Sequence, residues 1–211
     1  MRCAVSILAL VATTGFATAD LVNPDVPAWR GDVGTSYSEF DTFTQAFAAP
    51  NFPDVGGGGW SLTNNGAPGT ATIASSGNIY GFGGPLDISM TSLGPINAPT
   101  EAILNISWGG NMLLTGEGDV QALFNGTYYN ATAELRDSQE SPFGGTVDTW
   151  AFTFDLTGAF GLGNLEFFFG NDQANGSLDA VSVDVLATPI PAPGALALLG
   201  LAGFARGRRR D

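Results

Sequence analysis

Glu101–Trp108 reads EAILNISW and Trp150–Leu156 reads WAFTFDL. Ala102, Leu104, Ile106 and Trp108 occupy every second position of the first stretch. Trp150, Phe152, Phe154 and Leu156 do the same in the second. An extended chain points successive side chains to opposite sides, so period two gives each stretch one apolar face. These are strands, each with one side against a core.

Outward from them the same period recurs. Tyr129, Ala131, Ala133 and Leu135 mark a run over Thr127–Leu135, and Leu165, Phe167, Phe169 and Val181, Val183, Val185 mark two more. Asn125-Gly126, between Val120–Phe124 and Thr127, is a two-residue hairpin signal, because both residues accept the positive φ that such a turn needs. Earlier short runs (Trp60–Asn64, Thr70–Ser75, Asn78–Phe82, Leu86–Thr91) are separated by glycine, proline and asparagine turns. Roughly nine or ten short strands and no long helical pattern predict an all-β protein, an antiparallel β-sandwich of jelly-roll-like form. Two sheets with one wet face each account for the alternation. The absence of a fixed-period repeat argues against a propeller or β-helix.

Residues 20–59 are an irregular, aromatic-rich lead-in. Phe40, Phe43 and Phe47 have the spacing of one face of a short helix. They equally suit a long loop packing aromatics over the mouth of a sheet.

Composition excludes much chemistry. The 211-residue chain has no histidine, no lysine and a single cysteine, Cys3. Ser-His-Asp and Cys-His nucleophilic sites, histidine or thiolate zinc sites and Schiff-base lysines are therefore closed to the body. Carboxylate catalysis and oxygen-ligand metals remain open. Within 20–188, two arginines, Arg30 and Arg136, face 19 of the chain's 20 carboxylates, a formal −17. Such a surface repels nucleic acid and anionic lipid and favours cations. Solubility in a salty exterior is the plainer account of the same charge.

Several constellations need weighing. ELRDSQE holds Glu134, Asp137 and Glu140. A glycosidase needs two carboxylates facing one bond, but residues three apart on a strand point to opposite faces. The segment is expected to leave its strand at Arg136 for a polar loop. A structural calcium ion would draw oxygen ligands from Asp172, Asn175 and Asp179, though Asn, Asp and Gly serve turns equally well. Trp29, Trp60, Tyr80 and Tyr128 are candidates for a sugar-stacking platform, with burial in the core as the alternative. Arg30-Gly31-Asp32 matches an integrin-read tripeptide, and Asn105, Asn125, Asn130 and Asn175 head N-x-S/T sequons.

The ends read as addresses. Arg2, the apolar run Ala4–Ala12 and Ala17-Thr18-Ala19 before Asp20 follow the plan of a secretory signal peptide, residues 1–19, cleaved between Ala19 and Asp20. At the other end, residues 189–211 join Pro189, Pro191 and Pro193 to an apolar run, Ala195–Ala205, and then Arg206, Arg208, Arg209 and Arg210. Pro189–Ala205 would reach about 26 Å as a helix at ~1.5 Å per residue, the short limit for a bilayer. The arginines would hold that end in the cytoplasm. A permanent anchor is marginal in length, a GPI signal lacks the basic stop, and a sortase signal would need an LPxTG-like motif.

Residues 191–210, PAPGALALLGLAGFARGRRR, resemble the PEP-CTERM sorting signal of Gram-negative-type bacteria. Pro191, Ala192, Pro193 and Gly194 stand at the motif, with Ala192 where the motif has glutamate. The resemblance implies handling by an exosortase, transient inner-membrane insertion through a hydrophobic C-terminal sorting helix, and release to the cell surface or exterior. Family members are often tied to exopolysaccharide or biofilm matrix. The expected body, residues 20–188, is a non-catalytic β-sandwich. A carbohydrate-binding sandwich, with or without calcium, is the alternative, and a carboxylate-based glycoside hydrolase a distant one.

Overall fold

The computed structural model describes residues 21–57, 59–141 and 144–189. The signal peptide with Ala17, Ala19 and Asp20, and the sorting segment with Pro191, Ala192, Pro193, Gly194 and Arg206, Arg208, Arg209, Arg210, lie outside the described residues. The strands are, in chain order, β1 (Thr35–Phe40), β2 (Trp60–Asn64), β3 (Thr72–Ile73), β4 (Ile79–Gly81), β5 (Asp87–Ser92), β6 (Ile96–Asn97), β7 (Pro99–Gly110), β8 (Gln121–Phe124), β9 (Thr127–Asn130), β10 (Thr132–Glu140), β11 (Thr146–Asp155), β12 (Leu162–Gly163), β13 (Leu165–Gly170) and β14 (Gly176–Ala187). All pairings between them are antiparallel. The described residues include no helix, so the all-β reading holds.

The larger sheet, of seven strands, runs β10-β11-β7-β14 and then divides. β4, with β3 beyond it, pairs with the start of β14 at Gly176–Leu178, and β1 pairs with its later part from Val181 to Leu186. The smaller sheet, of five strands, has the order β2-β5-β13-β8-β9. β6 and β12 form a separate short ladder.

Register brings the alternating residues into rows. Trp150, Ile106, Val181 and Phe40 lie opposite one another across the larger sheet, and so do Phe152, Leu104 and Val183. Leu62, Met90, Phe167, Ala122 and Tyr129 make the matching row of the smaller sheet. The two apolar faces share one core. Phe154 of β11 meets Phe167 of β13 with ring centroids 5.1 Å apart, and Trp60 of β2 meets Phe167 at 5.6 Å. Each fully buried side chain of this size is worth about 1.5–3 kcal/mol in removal from water.

Three expectations are corrected. The lead-in is not wholly irregular: Thr35–Phe40 extends as β1, so no helix forms over Phe40–Phe47. Phe40 is buried as a strand residue and Phe43 from the loop after it. The run Thr127–Leu135 is two strands: β9 belongs to the smaller sheet and β10 to the larger. Tyr129, Ala131 and Ala133 all pack against the core, because crossing from one sheet to the sheet facing it preserves the inward parity. ELRDSQE does not leave its strand at Arg136, since β10 continues to Glu140. A bulge between Leu135 and Asp137 instead leaves Arg136 without a cross-strand partner. The extra residue resets the parity. Glu134 lies opposite Ala151 and Asp137 opposite Thr149, so both carboxylates share the face away from the core.

Candidate functional site

The outward faces of the two sheets differ sharply. That of the larger sheet is polar yet buried: Asn105, Ser107, Thr149, Ser182 and Asp184 all exclude water. The segment 21–34 lies over it as a strap. Val22 N donates to Thr149 Oγ1 at 3.3 Å, Asn23 Nδ2 to the Arg136 carbonyl at 2.9 Å, and Asp25 N to Asn105 Oδ1 at 2.7 Å. Asn105 Nδ2 donates in turn to the Asp25 carbonyl and to Ser182 Oγ. Buried polar groups cost stability unless partnered, and here the strap supplies many of the partners.

Both arginines of the body work on this face. Arg136 reaches Glu134 at 3.0 Å and Asp25 at 4.0 Å. Arg30 grips Asp184 through two parallel bonds, Nε to Oδ1 at 2.6 Å and Nη2 to Oδ2 at 2.5 Å. Its guanidinium also lies over the Tyr37 ring, 3.9 Å from the centroid, while Tyr37 Oη donates to Glu39. Burial pushes the Asp184 carboxyl up from its ordinary value against the downward pull of Arg30. Burial and the Glu39 carboxylate raise the Tyr37 phenol. The Arg30-Gly31-Asp32 tripeptide is therefore committed inward at its arginine. The Asn105 sequon, wholly buried, is closed to modification in the folded chain.

Among the described residues, the outward face of the smaller sheet has no such cover. Register sets two rows on it: Thr63, Ser89, Phe168, Gln121 and Asn130, then Ser61, Thr91, Glu166, Leu123 and Tyr128. None of these residues is buried, and Tyr128 is 59% exposed. Tyr128 and Phe168 sit on a diagonal with ring centroids 6.4 Å apart, tilted by 49°. Gln121 Nε2 donates to Asn130 Oδ1 at 2.9 Å, and Asn65 Nδ2 to Ser89 Oγ at 3.0 Å. Glu166 brings a carboxylate to the face, and Asp87, on the same side of β5 as Ser89 and Thr91, brings another.

No family model, curated protein or solved structure matches the chain. The residues themselves must carry the functional argument.

The sequence-predicted sites scatter over this frame. Trp60 is 2% exposed against Phe167, so it is a core residue and not a sugar platform. Trp29 is half-buried in the strap. Tyr80 is half-buried on β4, its hydroxyl donating to Asn175 Oδ1 at 2.8 Å. Tyr128 alone of the four stands open, and its companion is Phe168.

Asn175 has φ 67° at the turn before β14, and its carbonyl accepts from Asn111 N at 2.9 Å. Asp179 accepts from Asn78 Nδ2 and from Ser107 Oγ. Asp172 is exposed on the same turn as Asn175. The oxygens of Asn175 and Asp179 thus serve protein donors, and no group of three acidic side chains able to hold a metal occurs among the described residues. Of the ELRDSQE carboxylates, Glu134 is tied to Arg136 and Glu140 is exposed at the end of β10.

On the sequence alone, Leu165, Phe167 and Phe169 take the apolar face of this run and Phe168 is left without a role. The available signal was parity: Phe168 falls between the inward Phe167 and Phe169, so its ring must face out.

Proposed function

We propose that the chain is an exported, exosortase-processed protein of the cell surface or extracellular matrix, with a non-catalytic body. The body is read as a jelly-roll β-sandwich. The strand order supports this: the last strand, β14, lies between β1 and β7 in one sheet, and β13 lies between β5 and β8 in the other. Long connections that pass from sheet to sheet generate this interleaving in double-sheet Greek-key folds.

One observation carries the sorting reading beyond the tail's own sequence. β14 delivers Thr188 and Pro189 to the end of the body where β6 and β12 meet, Thr188 N donating to the Asn97 carbonyl at 3.0 Å. Around this exit stand Val33, Leu93, Phe160 and Leu162, exposed by 83%, 54%, 82% and 56%. An apolar surface that opens where a greasy segment departs suits a body held against a bilayer before release. The turn at Asp172–Asn175 lies at the opposite end of β14, about 40 Å away at ~3.3 Å per residue. A body seated on a bilayer by its tail would present that end outward.

Mass spectrometry of the extracellular protein tests the reading. A C-terminus near Pro191–Gly194, without Arg206–Arg210, is the expected result. Extracellular protein that keeps its arginine cluster would overturn the processing claim.

A second reading, polysaccharide binding, is favoured by the exposed Tyr128 and the half-buried Phe168 beside it.

A further inference from the structure

We propose that the outward face of the smaller sheet is a binding site for a neutral polysaccharide chain, with Tyr128 and Phe168 as its stacking platform. The inference deepens the polysaccharide reading and stands apart from the fate of the tail.

Three features select the ligand. The first is shape. Tyr128 and Phe168 project from neighbouring rows of a pleated surface with rings 6.4 Å apart and inclined to each other. Two aromatic faces so placed offer apolar area to the C–H faces of successive sugar rings, without the depth that a small-molecule pocket needs. The second is hydrogen-bonding chemistry. Ser61, Thr63, Ser89, Thr91, Gln121 and Asn130 surround the pair with hydroxyls and amides, which both donate and accept as sugar hydroxyls do. The Gln121–Asn130 bond holds two of these amides side by side.

The third is charge. Glu166 and the exposed Asp87 are the carboxylates that the strands of the smaller sheet set on this face, and no cation accompanies them among the described residues. With the body at a formal −17, counting two arginines against 19 carboxylates, uronate, sulfate and phosphate polymers are repelled. A carboxylate suits neutral sugars, accepting hydrogen bonds from hydroxyls. Among the described residues nothing covers this face as the strap covers the other sheet's outward face.

Affinity electrophoresis of the purified protein through gels containing laminarin, xyloglucan, galactomannan or alginate tests this. Retardation by at least one neutral polymer and none by alginate is expected. Tyr128→Ala and Phe168→Ala should each weaken that retardation at least 10-fold, while the distant Tyr80→Phe leaves it unchanged. All three side chains lie outside the core, and unchanged melting of each variant keeps folding out of the comparison. No retardation by any neutral polymer, full retention by either alanine variant, or preference for alginate would sink the assignment. So would a protein of twice the chain mass that Tyr128→Ala converts to the single chain, because the face would then be an interface between copies.

Discussion

Arg30→Met isolates the strap's main fastening. In the native chain Asp184 has no exposed side-chain surface, whereas Arg30 keeps 26% of its own. Removing the arginine leaves a carboxylate in a dry site, which typically costs about 3–5 kcal/mol when one partner of a buried pair is lost. The contact of the guanidinium with the Tyr37 ring adds about 0.5–2 kcal/mol. The strap can lift and admit water to Asp184, which limits the total, so about 3 kcal/mol is expected. For a body of this size that is roughly 6–12 °C in Tm, at ~2–4 °C per kcal/mol. Asp184→Asn should cost less, about 1–2 kcal/mol, because the orphaned Arg30 already reaches solvent. The double variant Arg30→Met with Asp184→Leu should recover part of the loss, since no buried charge remains.

Urea unfolding of the three variants measures these values, and trypsin adds a local probe in Asp184→Asn, where cutting at Arg30–Gly31 should accelerate as the strap opens. The pH dependence has a fixed sign. A carboxyl whose native pKa is raised holds its proton more tightly folded than unfolded, so its contribution is full below the ordinary carboxylate range and falls as pH rises through the native value. The Arg30→Met deficit should therefore be greatest near neutrality and shrink on acidification. An Arg30→Met variant within 1 kcal/mol of the parent, on the roughly 3 kcal/mol scale worked above, would refute the reasoning. So would a double variant whose cost is the plain sum of the singles.

Three further outcomes are expected. Gly126→Ala should cost about 1–2 kcal/mol in denaturant unfolding, the price of a positive φ alone, because φ is 82° and a Cβ there meets nothing within 4 Å. Gly34→Ala should cost clearly more, since its Cβ would lie 2.3 Å from the Ala187 carbonyl oxygen at φ 91°; equal costs would contradict the close approach of strap and last strand. Asp155 should titrate below the usual carboxylate range, because Thr157 N and Oγ1 both donate to it. Its contribution is present above the unfolded value and lost as pH falls, and Thr157→Val, which removes the hydroxyl donor and keeps the N–H, should move the titration only part of the way back by NMR.

The strands were legible because one inward face imposes period two. Trp60–Asn64 matches β2 residue for residue, and the Asn125-Gly126 turn joins β8 to β9 as its chemistry requires. The bulge at Arg136 was not legible, because no local residue preference separates a bulged strand from a strand that ends. It is the cross-strand register that moves Asp137 to the side of Glu134. The candidate face was half legible. Tyr128 stood out as an unassigned aromatic, whereas Phe168 was hidden between two core phenylalanines.

By itself the sequence determined what depends on one residue or its neighbours: the alternation, the turns, the closed catalytic chemistries and the acidic balance. Only the tertiary structure decided what depends on residues far apart in the chain. Arg30 meets Asp184 because β1 pairs with β14, and that contact turns a polar sheet face inward under a strap. Tyr128 meets Phe168 through β8, which lies between their strands and pairs with both. Period two places a side chain on a face of its strand, but it carries no information about which strand lies alongside or what covers that face.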